Sequence, residues 1–199
     1  MPIQAVLFDL GGVILRTEYQ APREHLAERL NSSYEDLVRI VFESESARRA
    51  SLGEISTQQH WEAVVGRLRR PSTEIPELRD EFFAGDVLDR SLVDYIRALR
   101  KRRRSGLISN AWPDMREYIV SNKIEDAFDS IIISSEVGIL KPDPGIFELA
   151  LGGLEVQPSQ AVLVDDTPAN IDGARALGMA GVIFRDPDQM KRDLEALLD

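Results

Sequence analysis

Short apolar runs that alternate with proline-initiated stretches constrain this chain more than any other feature. The runs are Ile3–Phe8, Gly106–Ser109, Ser130–Ser134, Ala161–Val164 and Val182–Phe184. Each is too short for a buried helix, and most carry β-branched residues, so they read as buried strands. Four helices are predicted beside them: Pro113–Asn122, Pro144–Leu151, Pro168–Leu177 and Pro187–Leu198. Proline at or near a helix start is tolerated because its missing N–H has no intrahelical partner there, and Gly152 and Gly178 are plausible stops. Strand and helix in alternation predict an α/β fold with a parallel sheet and right-handed crossovers. In such sheets ligands bind beyond the carboxyl ends of the strands.

One interval departs from the alternation. From about Thr17 to Asp86 no convincing strand is found, and helical patterns take over. In "YEDLVRIVFESESARRA" Leu37, Ile40 and Val41 share a face; in "STQQHWEAVVGRLRR" Trp61, Val64, Val65 and Leu68 share another. Gly53 and Pro71 punctuate these patterns. A helical insert of this length after the first strand is expected to form a separate cap, residues 17–86, over a core made of 1–16 and 87–199.

At 199 residues the chain is long enough for a core domain with a smaller insert. With no cysteine, disulfides and thiolate metal sites are excluded. The two histidines, His25 and His60, lack metal-like spacing and are read as surface or helix-face residues. A net charge of −10 argues against nucleic acid as a partner, because its backbone would be repelled. The basic run Arg100–Arg104 is read as a solvated helix C-terminus, where cations complement the macrodipole. No apolar run is long enough to span a bilayer and no signal segment precedes Ile3, so no membrane partner and a cytoplasmic location are expected.

Polar groups gather at four strand ends. Strand one stops on Asp9; "GLISN" ends in Ser109 and Asn110; "SSEVGILKPDP" supplies Lys141; "AVLVDDTPANI" supplies Asp165 and Asp166. Each alone is weak, since a strand-end Asp is often a helix cap and paired acids often a turn. Together they fit phosphoryl transfer. Three carboxylates in one place demand a cation, and hard oxygen ligands select Mg²⁺. Lys141, the Ser109 hydroxyl and N–H groups near Asn110 would hold phosphate oxygens while Asp9 attacks phosphorus in line.

The stretches "FDLGGV", "LISN", "GILKPDP" and "LVDDTPANIDGARALGM", in this order, resemble the phosphatase branch of the haloacid dehalogenase superfamily. The resemblance covers nearly the whole chain. It implies a Rossmann-like five-stranded sheet of order 5-4-1-2-3, a helical cap, and a hairpin-like flap after strand one. It further implies Asp9 as nucleophile, Ser109, Asn110 and Lys141 around the phosphate, and Mg²⁺ held by Asp9, the carbonyl of Gly11 and Asp166. Asp165 would be another ligand or a partner of Lys141. The substrate implied is a small phosphorylated metabolite, such as a sugar phosphate, and the chain would be a monomer or homodimer.

Gly11 departs from the pattern, because phosphatases of this family usually carry a second Asp there as general acid and base. Glu18 or a water held by the cap is a possible substitute. Two alternatives follow from the glycine: a metal-independent dehalogenase, or an impaired phosphate-binding protein. Other readings are of single residues. Trp112 either lines the substrate entrance or packs at a helix start. Glu136 and Gly138 shape the loop that presents Lys141, and Lys141–Pro142 is a candidate cis peptide. Arg16, Arg48 and Arg49 either meet the leaving group or are solvated.

Overall fold

Successive residues of the central strands point to opposite cores, which a parallel sheet covered on both faces requires. The computed structural model describes residues 2–198. Val6 and Phe8 of β1 (Ala5–Phe8) enter one apolar cluster and Ala5 and Leu7 the other. The chain continues through β2 (Leu15–Thr17), α1 (Ala21–Arg29), α2 (Tyr34–Phe42), α3 (Glu45–Ser51), α4 (Thr57–Arg67), α5 (Ile75–Phe83) and β3 (Asp86–Leu88). Then follow α6 (Arg90–Arg100), β4 (Arg104–Ser109), α7 (Met115–Ser121), β5 (Ser130–Ile133), α8 (Ser134–Val137) and α9 (Pro144–Gly153). Last come β6 (Ala161–Asp165), α10 (Pro168–Ala176), β7 (Ala180–Ile183) and α11 (Pro187–Leu198).

Five strands pair in parallel in the order β5-β4-β1-β6-β7. This is the expected order once the five core strands are counted by themselves. Side chains of α6, α7 and α11 cover one face, and those of α9 and α10 the other.

The helices between Ala21 and Phe83 bury a third cluster, in which Leu26, Leu37, Trp61, Leu78 and Phe82 are almost wholly enclosed. Their boundaries are written locally. Ser33, Ser44 and Ser56 accept hydrogen bonds from the amides of Asp36, Ala47 and Gln59, and Gln59 returns the bond to the Ser56 amide. Such caps satisfy N–H groups that the first helical turn leaves orphaned.

The structure amends several readings. The chain leaves and re-enters the sheet region through an antiparallel ribbon, with Leu15, Arg16 and Thr17 opposite Leu88, Val87 and Asp86. Two three-residue strands some seventy positions apart carry no periodicity of their own, so neither was legible. The turn after β1 is closed by Gly12 N–H donating to the Leu15 carbonyl and Leu15 N–H to the Leu10 carbonyl. The segment beyond it pairs with the returning chain, so the hairpin-like flap expected after strand one is this ribbon, with the helical insert between its two strands. Helix α6 was unassigned, although Leu92, Val93, Ile96 and Leu99 form its buried stripe. The basic run is not one solvated helix end: α6 stops at Arg100, which pairs with Asp129, while Arg104 opens β4 and pairs with Glu155.

Candidate active site

Parallel pairing gathers the carboxyl ends of the core strands on one edge of the sheet. Phe8 of β1 lies opposite Val164 of β6, and the Asp9 amide extends the ladder by donating to the Val164 carbonyl at 2.9 Å. Asp9 and Asp165 therefore leave neighbouring strands side by side. Lys141 arrives from the loop after α8 and is 4% exposed. Its Nζ stands 2.6 Å from Asp165 Oδ2 and 3.0 Å from Asp9 Oδ2.

Each member of the group is held by a named contact. Asn110 grips the Lys141 backbone from both sides: its Oδ1 accepts the Lys141 N–H at 2.8 Å and its Nδ2 donates to the Lys141 carbonyl at 3.0 Å. Asp165 is wholly buried and its oxygens are fully engaged. Beyond Lys141, it accepts from the Thr167 amide at 2.9 Å and from Asn170 Nδ2 at 3.0 and 3.1 Å. Asp166 is more open, with Thr167 Oγ1 donating to it at 3.3 Å.

One oxygen from each of Asp9, Asp165 and Asp166 lies within 4.8 Å of the others. Among these groups only Lys141 offsets the three acids. Burial pushes the Asp9 carboxyl up to about 7; Lys141 pulls against this rise, and Asp165 adds to it. Burial, followed by the charge of Asp165, raises Asp166 as well. Carboxyls raised in this way are short of positive charge. A hard, oxygen-seeking divalent cation is the group that the donor set fits.

The cluster forms the floor of a 780 Å³ cleft that Ser109, Gly11 and Gly12 also border. A family model for haloacid dehalogenase-like hydrolases matches residues 3–178. The chain belongs to this family. It is a hydrolase. Bifunctional epoxide hydrolase 2 of Rattus norvegicus is 26% identical over 98% of this chain, but that match takes in only 39% of the relative. The chain thus spans about two fifths of such a relative's length. Phosphoserine phosphatase of Thermus thermophilus is 40% identical over 42% of this chain and 36% of its own. A haloacid dehalogenase family enzyme of Bacteroides thetaiotaomicron, solved with magnesium and inorganic phosphate, superimposes with a TM-score of 0.76. That enzyme is 19% identical, with 93% of this chain and 96% of the other covered, and it shares the fold.

Around the cleft the remaining candidates separate. Glu18 does not border the cleft; it accepts from Arg16 Nε at 2.8 Å. Arg16 is a strut, bonded also to Asp89 and the Val13 carbonyl. Arg49 pairs with Glu54, whereas Arg48 borders the cleft without an ion pair among the described residues. Trp112 fills both roles considered for it, bordering the cleft and packing into the helical cluster. His60 is not a surface residue. It is fully buried, with Nδ1 2.9 Å from Ser46 Oγ and its ring 4.4 Å from that of Trp112. Lys141–Pro142 is cis, Gly138 closes α8 in the left-handed region, and Glu136 pairs with Arg116.

Two contributors went unread in the sequence. Asn170, on the first turn of α10, lies five residues past Asp165 and bonds it, a contact that its position within "LVDDTPANIDGARALGM" does not by itself reveal. Arg23 is bonded to Asp86 at 2.7 Å and stacked on Phe82 at 4.2 Å, on the cleft's border. Nothing short-range marks it.

Proposed function

We propose that this hydrolase is a Mg²⁺-dependent phosphatase that cleaves a small phosphate monoester through an aspartyl-phosphate on Asp9. The observation that carries the reading is the buried Lys141 ammonium shared between Asp9 and Asp165, with Asp166 alongside and a single lysine set against three carboxylates. One Asp9 carboxylate oxygen is the nucleophile; Oδ1 accepts the Leu10 amide at 2.6 Å and Oδ2 faces the Lys141 ammonium at 3.0 Å. Lys141 and the Ser109 hydroxyl hold the transferring phosphoryl oxygens. Asp165, with every oxygen engaged, orients Lys141 and keeps its charge in place. Mg²⁺ would be held by Asp9, Asp166 and the Gly11 carbonyl, and would supply the positive charge that the acids and a phosphate together require. The helices between Ala21 and Phe83 serve as the cap, excluding water and selecting the leaving group.

The dehalogenase alternative has no use for a third carboxylate beside Lys141, so the acid cluster weighs against it. The test is release of inorganic phosphate from a panel of phosphate esters, with Mg²⁺ and with excess chelator. Turnover in Mg²⁺ and its loss in chelator are expected. Full activity in chelator, or halide release from a 2-haloacid with no phosphate release from any ester, overturns the reading.

A further inference from the structure

A second cavity adjoins the cleft. It has a volume of 490 Å³, shares Leu15, Phe83, Asp86, Trp112 and Met115 with the cleft, and adds Tyr118. The charged groups at this chamber are largely engaged already. Asp114 takes Arg79 and the Thr57 hydroxyl, Asp86 takes Arg23 and the Thr17 hydroxyl, and Asp80 is exposed. Glu43 and Arg48 border the cradle's cavity and not this chamber. In this chamber the rings of Phe83, Trp112 and Tyr118, with Leu15 and Met115, offer an aryl group apolar contact.

Residue 11 supplies a second, independent observation. A Cβ there would meet nothing within 4 Å, so the position has room for an acid and holds none. Glu18, the other acid considered for the task, is turned away on Arg16. A leaving group must then depart without a proton from that position. A phenol, with a pKa of about 10 as for tyrosine, does so far more readily than the much less acidic hydroxyl of an alcohol.

We infer that the substrate is an aryl phosphate, with its ring between Trp112, Phe83 and Met115 and its phosphate on Lys141 and Ser109. This rests on the phosphatase reading above. An Asp9 oxygen bonds to phosphorus as the bond from phosphorus to the aryl oxygen breaks. The electron pair stays on that oxygen, which leaves as a phenolate and takes its proton from solvent. Water then attacks the phosphorus and gives its proton to solvent, while the bond from phosphorus to the Asp9 oxygen breaks with its electron pair kept by the carboxylate, so inorganic phosphate leaves and Asp9 is restored.

The experiment compares phenyl, 2-naphthyl and cyclohexyl phosphates and glucose 6-phosphate in Mg²⁺ under single-turnover conditions. Phenyl phosphate is expected to exceed cyclohexyl phosphate by roughly 10²-fold or more, within the range a positioned acid is worth. Gly11→Asp should narrow that ratio by at least about tenfold, and Glu43→Gln should leave it unchanged. The two aryl esters have similar leaving groups, so a lower KM for the naphthyl ester reports the chamber. Met115→Ala and Trp112→Ala should raise that KM; Met115→Ala is informative even if loss of Trp112 disturbs the cap. Calorimetry on the Asp9→Asn protein should show 2-naphthyl phosphate binding more tightly than inorganic phosphate, an advantage that Met115→Ala removes. Glucose 6-phosphate or cyclohexyl phosphate turned over as fast as phenyl phosphate overturns the inference and leaves the phosphatase reading standing. So does a steeper ratio in Glu43→Gln, which would make Glu43 the proton donor, or a naphthyl ester bound no better than phosphate. Failure to hydrolyse any ester overturns both.

Discussion

Adjacent glycines in the first loop obey opposite constraints. Gly12 sits at φ +76°, and a Cβ on it would lie 2.1 Å from Asp166 Oδ2, so only glycine lets the acid approach the turn. Gly11 has neither restriction. Gly12→Ala is accordingly expected to destabilise the fold by about 1–3 kcal/mol and displace Asp166, whereas Gly11→Ala changes stability by less than about 1 kcal/mol. Thermal melts of the two variants check the contrast, and equal losses would contradict it. Lys141 is the other decisive residue. Lys141→Met would strand two buried acids beside each other, a loss of roughly 3–5 kcal/mol when one partner of a buried pair is removed. Denaturant unfolding at pH 7 measures it, and a small loss would mean that the acids are compensated elsewhere. Asp9→Asn, by contrast, should preserve the fold and abolish turnover, since an amide is a poor nucleophile; retained turnover would exclude covalent catalysis through Asp9.

Among the elements, Trp112 bears most on how the helical segment meets the core. It lies just past the end of β4, yet its ring packs with Phe42, His60 and Phe83 from that segment. Asp114, two residues on, bonds Thr57 of α4 and Arg79 of α5, and Ser134 Oγ donates to the Ser51 carbonyl at 2.6 Å. His60 gives this junction a pH dependence. Burial lowers its pKa from 6.5 to about 4, so the unfolded chain takes up a proton that the folded chain refuses. The stability tied to neutral His60 is complete above about pH 6.5 and is lost as pH falls toward 4. The full shift corresponds to roughly 3 kcal/mol. The unfolding free energy of the wild type should fall across this window more steeply than that of His60→Gln, and parallel curves would deny His60 the role.

Over the whole molecule, the charge imbalance at the sheet edge is expected to tie folding to cation binding. A ligand that binds only the folded state at 100 times its Kd adds about 2.7 kcal/mol. Mg²⁺ titration should therefore raise the melting temperature of the wild type. Asp166→Asn should shift the titration to higher concentration, because the most open of the three acids is lost while the Lys141–Asp165 pair remains. An unchanged titration midpoint would remove Asp166 from the metal site. No helix among the described residues is long and apolar enough to cross a membrane, which agrees with the absence of long apolar runs.

The amino-acid sequence by itself determined what depends on near neighbours. Strand–helix alternation specified the parallel sheet, and parallel pairing obliged Asp9, Ser109 and Asp165 to emerge on one edge. Apolar spacing, punctuated by Gly53 and Pro71, marked the inserted helices. Tertiary structure decided what depends on residues meeting across the chain. The ribbon of β2 and β3 exists only because two distant three-residue segments pair. Asp165 became the anchor of Lys141 because Asn170 and Thr167 occupy its remaining lone pairs. His60 became buried because Trp112 and Trp61 close over it. Glu18 was drawn from the cleft by Arg16, whose partner Asp89 lies 73 positions away. A residue's type limits the bonds it can make, but which bond it makes is set by the partner that folding brings within reach.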